Sequence, residues 1–494
     1  MSFDRLDHLC RRLDALDHAQ AMLGVDEAVM MPEGSGAARA TAMAEIAALH
    51  HEMTTAPEVA EWLAAAEAAA TEPARVAALR EFRRMHSNLT CLSSDFVGRQ
   101  VRARMASEQL WRQLRPHNDW HGFLPAFREV VALAREEANR RAEVLKLQPY
   151  DALMEQYDPG NRMAEVTPVF STLKVFLKDF IPKAMAAQAR RRAGKALRGP
   201  FPVARQKALG QAVMAALGFD FGHGRLDVSH HPFCGGVPDD VRMTTRYRTD
   251  EFLSSLMGIV HETGHGLYEQ GLPGEWRHWP VGKARGMALH ESQSLFVEMQ
   301  LARRAAFWKF ALPLARQHLG AAKLLGVSVA SMVRAVQKVK PGLIRVDADE
   351  ATYPLHIMLR YELEQALISG SLKPEDVPEA WNARMQESLG LDTRGNFRDG
   401  PMQDVHWPSG AFGYFPSYTL GALAAAQQFA AIRRALPDVE EDIARGHFAR
   451  INDWRRDHIW SKGSFLSTQE IMRQATGEAL SPRAFMAHLE ERYL

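Results

Sequence analysis

Residues 261–265 read His-Glu-Thr-Gly-His. On a helix, His261 and His265 stand four apart on one face, where two imidazoles can grip a single ion. Glu262 is offset by one residue, about 100° around the helix, and can act on a water beside the ion without being a ligand. These are the residue types for metal-assisted hydrolysis, with an ion to polarise a carbonyl and a carboxylate to manage the proton. A catalytic zinc takes three protein ligands and keeps one position open. Downstream, residues 290–294 read HESQS. Glu291 and its neighbour His290 both qualify as the third ligand, and spacing alone does not choose between them. With 20 His in 494 residues, the pentapeptide arises by chance in roughly one such chain in twenty, so its setting has to decide.

The periodicity predicts that setting. A helix is expected over 250–270, with Asp250 as N-cap, an apolar set running from Phe252 to Val260, and Gly271 and Pro273 as the stop. Gly264 and Gly266 each cost that helix about 1 kcal/mol relative to Ala. Packing must offset this, and small residues beside the ion also leave room for substrate. The Glu291 motif is expected on a helix over 282–308. Other helices are expected over 3–21, 36–55, 57–70, 74–90, 96–115, 122–146, 163–192, 203–217, 327–339, 354–370, 374–389, 415–435, 437–456 and 481–492. Residues 224–248 differ. Short β-branched runs at 226–229 and 241–247 flank Gly235, Gly236 and Pro238, predicting a small β-hairpin just before the motif helix. The fold class is therefore all-α with a short sheet beside the active site. No linker divides the chain and no fixed repeat is present.

Composition narrows the function. Hydrophobic residues make up 46% and charged residues 24%, ordinary for a globular protein. A net charge of +1 supplies no field for nucleic acid or an acidic membrane, and the basic run at 190–198 reads as a solvated helix end. Cys10, Cys91 and Cys234 lie far apart without metal or disulfide spacing, which fits a reducing compartment. The charged N-terminus lacks the apolar core of a signal peptide, and no window holds 18 apolar residues in a row. A cytoplasmic location is expected.

Six motifs occur in order: His231-Pro232-Phe233; Asp240-x-Arg242-x-Thr244; the 261–265 motif; His290-Glu291-Ser292-Gln293; Ile344-Arg345-x-x-Ala348-Asp349; and Gly400-x-x-Gln403-Asp404-x-His406-Trp407. In these the chain resembles the carboxypeptidase Taq family of metallocarboxypeptidases. The resemblance implies a single metallopeptidase domain over 1–494, almost wholly helical, with a deep central groove. The helical part, about 1–220, would form one side of the groove, and about 221–494 would be catalytic. It implies a homodimer and release of single C-terminal residues from peptides, broadly but without C-terminal proline. It also implies Glu291 as third ligand to one zinc ion per subunit, with cobalt able to substitute.

Other roles follow from that chemistry. A tetrahedral oxyanion needs donors. His406, Tyr414 and Tyr418 stand where other peptidases with this motif and a helical cleft place a His and a Tyr, and helical spacing favours Tyr418. A free C-terminal carboxylate calls for an arginine fork, which Arg345 or Arg242 would supply unless paired internally with Asp349 or Asp240. His231 can bond a substrate carbonyl at a strand edge or be a buried, satisfied histidine. Two rivals remain: an endo-acting zinc oligopeptidase, and a helical scaffold with a vestigial site, which would have no use for Glu262.

Overall fold

The computed structural model describes residues 2–191 and 197–494, so the basic run at 190–198 falls partly outside it. Among the described residues, the Ala-, Leu- and Arg-rich stretches fold into nine α-helices before the sheet and eleven after it. The all-α expectation holds, and among the described residues no helix is long and apolar enough to cross a membrane. Expected and observed ends agree within a residue at Gly36–Thr55, Pro57–Ala69, Pro73–Thr90, Val203–Leu217 and Pro416–Ala435.

Several elements differ. The helix expected over 282–308 begins only at Met287, runs to Leu295, and continues as a π-helical stretch, Phe296–Ala302. After a break at Arg303 and Arg304, a separate helix spans Ala305–Leu319. The segment over 437–456 is two helices, Val439–Arg445 and Ala449–His458, parted by Gly446 in the left-handed conformation. Two helices were not anticipated. Pro149–Met154 is too short to show a period, and Thr468–Thr476 is announced by a capping box from Ser467 to Glu470.

The sheet also corrects the expectation. It has three strands, β1 (Gly224–Val228), β2 (Cys234–Val237) and β3 (Asp240–Thr245), in the order β1-β3-β2. The two runs expected to form a hairpin, at 226–229 and 241–247, are parallel neighbours, with Leu226 opposite Met243. The hairpin lies within what was read as the turn. There β2 and β3 pair antiparallel from Cys234 opposite Met243 to Val237 opposite Asp240, across Pro238 and Asp239. Gly236 permits this with φ 87°, since a side chain there would run into Asp240 O. Residues 229–233, which include the His-Pro-Phe motif, are long enough to turn the chain back and bring β2 to the far side of β3.

Val241 and Met243 turn one face of the sheet into the main apolar core, which gathers residues from Trp120 to Tyr493. A second cluster joins the first, third and fourth helices, from Leu6 to Phe82, to Trp279 and Val281.

Candidate metal centre

The motif helix spans Leu253–Gly271. Asp250 is not its cap: that carboxylate is taken by Arg248 at 3.0 and 2.7 Å, and Glu251 accepts from Ser254 N at 2.9 Å instead. Tertiary packing fixes the helix. Leu256, Ile259, Val260 and Leu267 are each at least 96% buried. At about 1.5–3 kcal/mol each, they outweigh the roughly 2 kcal/mol lost at Gly264 and Gly266.

Those two glycines do not make room for substrate. A Cβ on Gly264 would stand 2.5 Å from Ser294 Cα, and one on Gly266 would stand 2.9 Å from Phe219 and 3.0 Å from Met243 Sδ. They let the motif helix lie directly against the Glu291 helix on one side and the sheet on the other. The third helix of the site, Pro416–Ala435, comes equally close. A Cβ on its Gly421 would stand 2.8 Å from Glu291 Cβ.

The Glu291 helix is held along its length. Met287 N donates to Tyr157 O at 2.8 Å, and Ala288 N donates to Asp158 Oδ1 at 2.6 Å. Asp158 also accepts from Ser417 Oγ, tying this helix to Pro416–Ala435. Burial pushes the Asp158 carboxyl up to about 6 despite these bonds. Gln293 Oε1 accepts from Arg455 and Trp460 at 2.8 Å each, and its amide nitrogen lies 3.1 Å from Gln428 Oε1. The glutamine of the motif therefore serves the scaffold.

These contacts bring His261, His265 and Glu291 together, one donor atom from each within 4.8 Å of the others. Glu291 Oε1 is 3.9 Å from His261 Nε2, and Oε2 is 3.6 Å from His265 Nε2. Donors bound at about 2.0–2.1 Å to one tetrahedral ion stand roughly 3.3–3.4 Å apart, so the trio would draw together around an ion. His290 is not part of it: Nε2 is bound to Glu269 at 2.7 Å, and the ring stacks on His265. The charges fit a divalent cation as well. Glu262, Glu291 and Glu298 crowd His261 and, against its burial, raise its pKa to about 10, while burial drives His265 well down. Glu262 is 93% buried, and that burial pushes its carboxyl up to about 7.

A second group lies beside the trio. Tyr418, one turn before Gly421, has its hydroxyl 3.1 Å from His406 Nε2. Tyr414 packs against both rings, with centroids 5.5 Å from His406 and 5.2 Å from Tyr418. Burial, with Glu291 nearby, raises both phenols, Tyr418 to about 12. Burial lowers His406 to about 3, so it is neutral at working pH.

Arg345 is 94% buried and bound to Asp404 at 2.8 and 3.0 Å, not to Asp349. Asp349 instead accepts from Ala351 N and Thr352 N, at the start of the helix Tyr353–Ser369. Asp404 also takes Arg360, so two guanidiniums share one carboxylate, and Arg345 Nη1 meets Tyr353 OH at 3.1 Å. Arg242 pairs bidentately with Asp240, the internal pairing considered from the sequence. His231 is exposed, beside His230, Arg246 and Arg112. Its loop is pinned by Thr244, whose Oγ1 accepts from Phe233 N at 3.1 Å. The motifs thus work in pairs: the Thr of Asp-x-Arg-x-Thr holds His-Pro-Phe, and the Gln-Asp of the last motif holds Arg345.

The sequence profile of the carboxypeptidase Taq (M32) metallopeptidases matches residues 5–493. The chain belongs to this family. It is a metallocarboxypeptidase. It is 40% identical over 491 residues to thermostable carboxypeptidase 1 of Thermus thermophilus, covering 96% of this chain and 94% of that protein. Among solved structures it resembles Trypanosoma cruzi metallocarboxypeptidase 1, with a TM-score of 0.97 and 40% identity over 100% of this chain and 99% of that one. The M32 carboxypeptidase of Deinococcus radiodurans gives a TM-score of 0.95 at 32% identity, over 100% and 98%.

Sequence reasoning did not single out Glu298, Asp158 or Asp404 as partners of this metallocarboxypeptidase's site. Glu298 carried a readable signal, lying seven residues after Glu291 on the same helical face. Asp404 and Asp158 are joined to their partners across 59 and 130 residues, and no local pattern reports such contacts.

Proposed function

We propose that this metallocarboxypeptidase holds one zinc ion through His261, His265 and Glu291, and releases single C-terminal residues from peptides with Glu262 as general base. The observation that carries this reading is the buried trio of two imidazoles and a carboxylate, with a second acid, Glu262, adjacent that is not one of the trio. When bound, the ion supplies Lewis acidity, polarising the scissile carbonyl and easing deprotonation of a water. Glu262, poised near 7 by burial, takes the proton of the attacking water and passes it to the departing amine. Tyr418 donates its hydroxyl hydrogen to the carbonyl oxygen as that oxygen gains charge, and accepts in turn from His406 Nε2. Tyr414 closes the apolar wall around them.

Arg345 reads the substrate carboxylate by exchanging Tyr353 OH for it at Nη1, while Asp404 keeps the guanidinium in place. His231 and Arg242 flank the edge strand β2, along which the peptide backbone can lie. The same reading has the chain acting as one catalytic domain, a homodimer in the cytoplasm, with broad specificity that excludes C-terminal proline, and with cobalt able to replace zinc.

The test is a pair of peptides alike except for a free or amidated C-terminus. The free acid should shorten one residue at a time and the amide should stay intact. Internal fragments from either peptide would favour the endo-acting alternative.

A further inference from the structure

The two imidazoles of the trio are braced differently. His265 lies against His290, ring centroids 4.5 Å apart and planes 26° apart. His261 has a carboxylate at its back: Nδ1 is 3.0 Å from Glu298 Oε2, opposite the Nε2 that faces Glu291. The other oxygen, Oε1, accepts from Arg303 Nη2 at 2.7 Å, and Arg303 Nη1 donates to Val336 O at 2.7 Å. Gln337 Nε2 closes the arrangement on Arg303 O at 2.7 Å. Glu298 thus spends one oxygen on the histidine and one on the arginine, and both side chains are largely buried. It sits in the π-helical stretch Phe296–Ala302, a distortion frequent at functional sites.

Given the reading of His261 as a metal ligand, on which this rests, the geometry points to Glu298 as a positioning residue for the ion, itself held by Arg303. With Nδ1–H donated to Glu298, the ring proton is fixed on Nδ1 and the Nε2 lone pair is bare. The carboxylate also sets the ring plane and makes the imidazole a stronger donor. A purely structural ion pair would anchor residues 296–303 to Val336 and leave metal affinity alone.

The experiment measures Zn²⁺ affinity by chelator competition at a temperature where each apoprotein is folded by circular dichroism. Glu298→Ala should bind zinc about 10–100-fold more weakly. Glu298→Gln, which retains an acceptor for Nδ1–H, should lose less. The double variant Glu298→Gln/Arg303→Met, which leaves no unpaired guanidinium, should also bind more weakly than wild type, and it decides the matter if Glu298→Ala does not fold. Affinity within twofold of wild type in the folded variants overturns the proposal. A wild-type chain that takes up no zinc overturns the metal reading instead.

Discussion

Gly421→Ala is a single methyl aimed at the third ligand. The added carbon would stand 2.8 Å from Glu291 Cβ, 2.9 Å from Cγ and 3.1 Å from Ala288 O. Non-bonded carbons rest at about 3.5–4.0 Å, so the ligand or its helix must yield by roughly 0.7–1.2 Å. A metal site keeps its distances within about 0.2 Å. Overpacking costs about 1–3 kcal/mol, against about 1 kcal/mol gained in helix propensity. The net loss of about 0–2 kcal/mol is too small to unfold the chain. The expected outcome is therefore a folded protein with zinc affinity reduced about 10–100-fold, comparable to other disturbances of ligand orientation, and partly restored turnover at high zinc. Chelator competition, turnover against added zinc and thermal unfolding on one preparation measure all three. Gly36→Ala, with nothing within 4 Å of the new Cβ, is the control. Wild-type zinc affinity and turnover in Gly421→Ala would refute the claim that this contact sets the ligand.

Tyr418→Phe removes the hydroxyl beside His406 and should lower kcat about 10²–10³-fold with little change in KM; steady-state kinetics would contradict this if kcat were retained. Glu364 is fully buried, and that burial raises it to about 7 although Tyr150, Trp407 and Gly413 N all donate to it. A raised acid binds its proton more tightly in the folded state, so its stabilisation is fully present below about 4.5 and lost as pH rises through about 7. Urea unfolding of wild type and Glu364→Gln across pH 4–8 should show wild type losing on the order of 3 kcal/mol relative to the variant, and a flat difference would count against it.

How much of this was legible depends on the range of each contact. The motif helix, its stop at Gly271 and the four-residue spacing of its histidines are local, and the sequence predicted them. The N-cap was misplaced because Asp250 has a nearer partner in Arg248. The roles of Gly264 and Gly421 belong to helix contacts that residue type alone does not reveal. Strand order was misread because Gly235 and Gly236 looked like a turn, while both lie within β2 and Gly236 lets that strand run close beside β3. Arg345 shows the same limit: the sequence offered Asp349, four residues away, and the fold supplies Asp404, 59 residues away.

The central claim is that the trio holds the ion while Glu262 does the proton transfer. Glu262→Gln preserves size and removes the base, so zinc content and peptide turnover measured on a single preparation test the claim most directly. The expected result is a full zinc complement, unchanged thermal stability and turnover lowered at least about 10²-fold. Loss of zinc alongside activity would make Glu262 a ligand, and retained turnover would contradict the mechanism.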